Sequence, residues 1–212
     1  MEGLDSDPLT LTLHAVRLLG FAETTSVARR FEQDLAGVSE RLLDVEAFGW
    51  VSRSAFAGSQ GWALTDRGRQ ELDRRLAEEL DRREARPVVV GAHAQFVPLN
   101  ARFQDAATRW QICPLPGDPM AANDHTDHRW DDRVLETLGS VGRALSPLNA
   151  ELTTVLPRFR GYDERYAAAL GRASSGESRW VDGVSIDSCH VVWMQLHEDL
   201  LATLGLERGQ ET

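Results

Sequence analysis

Apolar residues recur at three- and four-residue steps along most of this chain, and a different pattern is confined to one short stretch near residue 55. Leu9 to Leu19 has the helical period, and the hydroxyls of Thr24, Thr25 and Ser26 are placed to cap a second helix through Val27, Ala28, Arg29, Arg30 and Phe31. Leu35, Val38, Leu42 and Val45 mark the core-facing stripe of a third helix reaching Phe48, with Gly49 as its stop. The period then changes. Trp50-Val51-Ser52-Arg53, the turn formers Ala57 to Gly61, and Trp62-Ala63-Leu64-Thr65 predict a short hairpin. From Asp66 to Arg83 a charged helix follows.

Arg86-Pro87 interrupts that helix and marks a boundary, which divides the chain into residues 1–86 and 87–212. The second part reads as helices throughout: Gln95 to Ile112, Asn123 to Leu145, a third opening at Ser146-Pro147 and ending near Leu156-Pro157, Phe159 to Ala173, and Asp187 to Leu204. The expected fold is therefore mainly α: an N-terminal winged helix-turn-helix with a small β-hairpin wing, and an all-helical C-terminal bundle.

Composition narrows the classes of function. The chain has 212 residues and two cysteines, Cys113 and Cys189, too few for a disulfide framework. Its acidic start, MEGLDSDPLT, is unlike a basic secretory leader, and no apolar run reaches the length of a bilayer span, so a cytoplasmic protein is expected. All 23 basic residues are arginine, as in GC-rich genomes of the actinobacterial kind. Without lysine there is no Schiff-base, Walker A or kinase-type lysine. The net charge of -10 gives little nonspecific attraction to phosphates.

Two motifs in the first third carry a family resemblance. Val38 to Val51 resembles the recognition helix of MarR- and PadR-type regulators running into the first wing strand, and Trp62-Ala63-Leu64-Thr65-Asp66-Arg67-Gly68-Arg69 is similar to their closing motif. The resemblance implies a homodimer on double-stranded DNA, with the third helix in the major groove and the wing beside it. It places DNA contacts at Thr24, Thr25, Ser26, Arg29, Arg30, Ser39, Glu40, Arg41, Arg53, Ser59 and Gln60. The outward positions of the third helix, Ala36, Gly37, Glu40, Asp44 and Ala47, carry no arginine, which leaves open a winged helix used for docking to protein.

In the helical half, two stretches collect histidine and acid. Asp127, His128 and Asp131, with His190 and His197, have the donor types a divalent metal takes and are its candidate ligands. Alternatively, Arg102, Arg109 or Arg133 would clamp an anionic small-molecule effector against Trp110, Trp130 or Trp193. The layout resembles one-component bacterial regulators, and the tail from Asp187 to Leu200 resembles segments of uncharacterised actinobacterial regulators. An enzyme has less support: there is no GxSxG elbow or phosphate loop, and Cys189-His190 are adjacent on a helix and point apart. A metal-dependent hydrolase on the Asp/His residues is the remaining enzymatic alternative.

Overall fold

In the structure, a computed structural model, residues 6–56 and 59–207 are described, apart from the side chains of Phe56 and Ser59. The protein is mainly helical, with one small antiparallel sheet. Among the described residues no helix is long and apolar enough to cross a membrane. The chain forms two compact units: Met1–Val89 with Val155–Arg158 and Glu198–Thr212, and Val90–Thr154 with Phe159–His197. A single cut at 86/87 therefore does not describe the first unit, which takes back two later stretches of chain.

The first unit begins with α1 (Pro8–Leu19), whose N-cap carboxylate Asp7 accepts from the Thr10 amide. Next comes α2 (Thr24–Arg30); its N-cap is Glu23, without a side-chain capping bond, so the three hydroxyl residues lie inside the helix and do not cap it. α3 (Leu35–Ala47) is capped by Asp34, whose carboxylate accepts from Gly37, and the chain leaves it through Gly49 at φ +70. Val38, Leu42 and Val45 are buried as the pattern requires, but Leu35 is 48% exposed and belongs to the outer face. Strands β1 (Val51–Phe56) and β2 (Ser59–Leu64) pair in the register Val51↔Leu64 and Arg53↔Trp62, and α4 (Asp66–Arg82) follows. The turn is tighter than expected, because Ser59 to Gly61 are strand; Ala57 and Gly58 lie outside the described residues.

One core joins these elements: Leu13, Val16, Val27, Val38, Leu42, Val45, Val51, Trp62, Leu72 and Leu76, with Ala202 from the end of the chain. Trp62 also exchanges backbone hydrogen bonds with Ala22 (2.8 and 3.1 Å), so the hairpin is tied to the segment between α1 and α2. Its indole donates to the Thr24 hydroxyl at 3.0 Å. The other end of the hairpin is fixed by Thr65, which donates to Gly49 O and accepts from the Gly68 amide. A Cβ on Gly68 would stand 1.8 Å from Trp50 O, so only glycine lets α4 start this close to β1.

The second unit contains most of α5 (Arg86–Gln111) and α6 (His128–Val155), then α7 (Tyr162–Ser174), the short α8 (Arg179–Asp182) and the first part of α9 (Cys189–Leu204); a 3-10 turn spans Pro157–Phe159. Two proline signals mislead. Pro87 sits in the first turn of α5, where its missing N–H is not needed, and the break falls instead at Glu84, at φ +52. Pro147 lies inside α6, because Leu145, Leu148 and Leu152 continue the buried stripe of Val134, Leu138 and Val141 straight past it. Burying that face offsets the roughly 3 kcal/mol a helical proline costs. Phe96, Phe103, Tyr166 and Trp193 form the centre of this unit, with Trp193 stacked 4.8 Å from Phe96 and 4.9 Å from Phe103.

Candidate nucleic-acid interface

The outer surface of α2, α3 and the hairpin is where the expected DNA contacts fall. Thr25 and Arg29 are exposed on α2, Ser39 and Glu40 on α3, and Gln60 on β2. Thr24 and Ser26 are half-buried, Thr24 because its hydroxyl receives the Trp62 indole. Arg53 is half exposed on β1, with its guanidinium 5.3 Å from the Trp62 ring and 4.0 Å from Glu46. The side chain of Ser59 lies outside the described residues.

Two arginines are directed elsewhere. Arg41 turns back along α3 and donates from Nε to the Thr12 hydroxyl of α1 at 3.0 Å. Arg30 lies 4.5 Å over the Phe31 ring, and its positive charge acts on His14 and Asp199 in the interior. Both are half-buried, each with part of its guanidinium engaged by the first unit itself. What α3 presents outward is then Leu35, Ala36, Ser39, Glu40, Leu43, Asp44 and Ala47, followed by Phe48 at 59% exposure. The Arg41 guanidinium lies near that face, its terminal amines 3.1 and 3.6 Å from where a Cβ on Gly37 would stand.

Behind it, the first unit contains a charge cluster that the sequence pattern did not reveal. His14 Nε2 is 2.9 Å from Asp199 Oδ1, Arg158 donates to the same carboxylate, to Glu79 at 3.1 Å and to the Thr203 hydroxyl at 2.8 Å, and all five side chains are buried. Nearer the surface Arg17 reaches Glu198 at 2.8 Å and also pairs with Asp73. Burial lowers the pKa of His14, and the Asp199 charge only partly opposes it, so the imidazole is neutral at neutral pH with Nε2–H donating. Burial pushes the Asp199 carboxyl up, but His14 and Arg158 outweigh it and hold the group ionised. The signals available in sequence were a histidine amid Leu13, Ala15 and Val16, and an arginine between Pro157 and Phe159.

The metal residues of the second unit do not converge. Asp127 accepts from the Arg129 and Trp130 amides at the start of α6, a helix-capping role. Asp131 is taken by His125 Nδ1 (3.0 Å) and the Asn123 amide (2.8 Å). His128 is exposed, His190 stacks on Phe103, and His197 lies against Phe96. Among the described residues no group of three or more His, Cys, Asp or Glu side chains is arranged to hold a metal ion.

Of the ligand residues, Arg109 and Arg133 meet Trp130, at 5.0 and 5.4 Å from its ring, while its indole donates to Arg109 O. The others serve the fold. Arg102 donates to Ser140, Trp110 is buried beside His125, and Trp193 donates to Asn100 from the core. A cavity of about 540 Å³ lies instead between α6 and α7, over Gly139, Gly142, Arg143, Asp163, Tyr166 and Gly171. Gly142 lets the Tyr166 ring pack close to α6, where a Cβ would stand 2.9 Å from it, and none of the expected ligand residues lines the cavity. Burial pushes the Cys189 thiol up to about 12, which suits packing rather than nucleophilic chemistry.

Comparison with known proteins adds no relative: the chain matches no family model, no curated protein and no solved structure.

Proposed function

We propose that this chain is a dimeric DNA-binding transcriptional regulator, in which the first unit is a winged helix-turn-helix of MarR-like type and the second binds a small-molecule effector. The observation that carries this reading is the hairpin. It follows α3, is tied to Ala22, and is closed on α4 by Thr65 and a glycine with no room for a side chain. In that arrangement α3 has a solvent-facing side and the wing strand carrying Arg53 beside it. The effector site in this reading is the α6–α7 cavity, which offers Arg143 and Asp163 as polar partners. Linkage requires that an effector weakening DNA binding itself binds less tightly to the DNA complex.

A second reading has its own observation. Leu35, Leu43 and Phe48 are exposed beside Glu40 and Asp44, a surface that would also suit docking to a protein. Selection of bound fragments from genomic DNA by the purified protein separates the two, repeated at rising salt and with Arg53→Ala and Ser39→Ala. Enrichment of a palindromic site that the variants lose supports the regulator. No enrichment even at low salt favours docking.

A further inference from the structure

The outer face of α3 has an unusual chemistry for a helix read against DNA. Its centre line, at helical spacing, is Ala36, Glu40, Leu43 and Ala47, with Ser39 on one flank and Asp44 on the other. Glu40 and Leu43 are both exposed, Leu43 at 50%, and among the described residues neither carboxylate of this face forms an ion pair. The helix's one arginine is held by Thr12. The centre line itself therefore offers a carboxylate and a leucine, not the arginine of the commonest guanine readout.

We infer that α3 reads pyrimidine edges: Glu40 accepts a hydrogen bond from the exocyclic amine of a cytosine, and Leu43 packs on the methyl group of a neighbouring thymine. This rests on the DNA-binding reading above. The major-groove pattern of each base decides the assignment. Guanine shows two acceptors, which repel a carboxylate. Adenine pairs its donor with an adjacent acceptor, whereas cytosine offers the amine alone. Thymine adds a C5-methyl, the one apolar group in the groove, and leucine complements it. One turn separates the two side chains, about 4.5 Å along the helix axis, comparable with the base-pair step of about 3.4 Å. Adjacent base pairs are within their reach.

The face thus selects by exclusion as well as attraction. A carboxylate at its centre penalises a guanine on the contacted strand and the bare phosphate backbone alike, so the protein gives up nonspecific affinity and gains discrimination. This accounts for an acidic reading helix in a protein whose net charge is -10.

The test is selection from a random double-stranded DNA pool by the full-length protein and by Glu40→Gln and Leu43→Ala, two exposed substitutions that leave the core untouched. The wild type should enrich a half-site with cytosine beside thymine on one strand. Glu40→Gln should move that cytosine preference to adenine, the base glutamine pairs with, by about tenfold. Replacing the thymine by deoxyuridine, which lacks the methyl group, should weaken wild-type binding several-fold and leave Leu43→Ala unaffected. A motif whose bases do not change in Glu40→Gln overturns this assignment while leaving DNA binding intact. Failure of the wild type to enrich any motif removes the DNA reading itself, and the assignment with it.

Discussion

His14 and Asp199 are 185 positions apart, yet Nε2 of one lies 2.9 Å from Oδ1 of the other, and neither side chain has any exposed surface. Around them Arg158 and Glu79 complete a set of charges that is fully enclosed within one unit. Such a set is costly to disturb, because any group left without its partner stays out of water.

Acid should expose this arrangement. The pKa of His14 is lowered from 6.5 by burial, so the unfolded chain holds the proton more tightly than the folded one. Stability is then full above pH 6.5 and falls as pH drops from there through the folded value, by at most about 1.4 kcal/mol per pH unit. Asp199, whose pKa is depressed, adds a further loss once pH falls below about 4. Urea melts of the wild type and His14→Gln between pH 5 and 8 should show the slope only in the wild type; parallel curves would exclude His14 as its source.

Removing one partner of the central pair should be severe. Asp199→Ala leaves Arg158 enclosed without that carboxylate, a loss of about 3–5 kcal/mol. Asp199→Ala combined with Arg158→Met should cost clearly less than the sum of the two single changes, since the couple is removed together. Additive losses in denaturant melts would mean that the two side chains are energetically independent.

Gly68→Ala tests the closure of the hairpin. The added methyl would meet Trp50 O at 1.8 Å, so α4 and β1 must move apart. The expected cost is at or above the top of the roughly 1–3 kcal/mol range for overpacking. Thermal melts followed by tryptophan fluorescence would report it through Trp50 and Trp62; an unchanged midpoint would show that the close approach does not contribute to stability.

Salt dependence measures how few phosphates are neutralised. In the proposed dimer on DNA, with the Arg41 Nε on Thr12 and Arg30 over Phe31, Arg29 and Arg53 of both protomers would be the phosphate contacts. A plot of log affinity against log salt should then have a slope near about -3.6. Arg53→Ala should reduce it to about half. A steep slope in the wild type would mean that basic residues outside α2, α3 and the hairpin contact the backbone.

The element order was legible because the hydrophobic period is strong and its break at the hairpin is abrupt. Val38, Leu42 and Val45 fell on the core as spaced, and Gly49 stopped α3. Errors arose where tertiary packing overrides a local signal: Pro147 reads as a helix start, but its neighbours Leu145 and Leu148 are buried on one uninterrupted face. Leu35 has the right spacing for the core yet sits at the first turn of α3, where it is 48% exposed among the described residues. The site was harder to read. Arginines were assigned to DNA by position alone, and Arg30 and Arg41 show that a guanidinium's direction depends on Phe31 and Thr12. Glu79 and Asp199 look like ordinary surface acids in sequence, because what encloses them comes from distant stretches.

The order in which the chain is made gives that enclosure a temporal meaning. Glu79 leaves the ribosome about 120 residues before Asp199, which at about 5–20 residues per second is roughly 6–24 seconds. Throughout that interval His14 is without the Asp199 carboxylate it meets in the finished protein, and for the earlier part of it Glu79 also lacks the Arg158 guanidinium. The part of the chain that is synthesised first is thus completed last, and a nascent or prematurely terminated product lacks the residues that close the interior of the first unit.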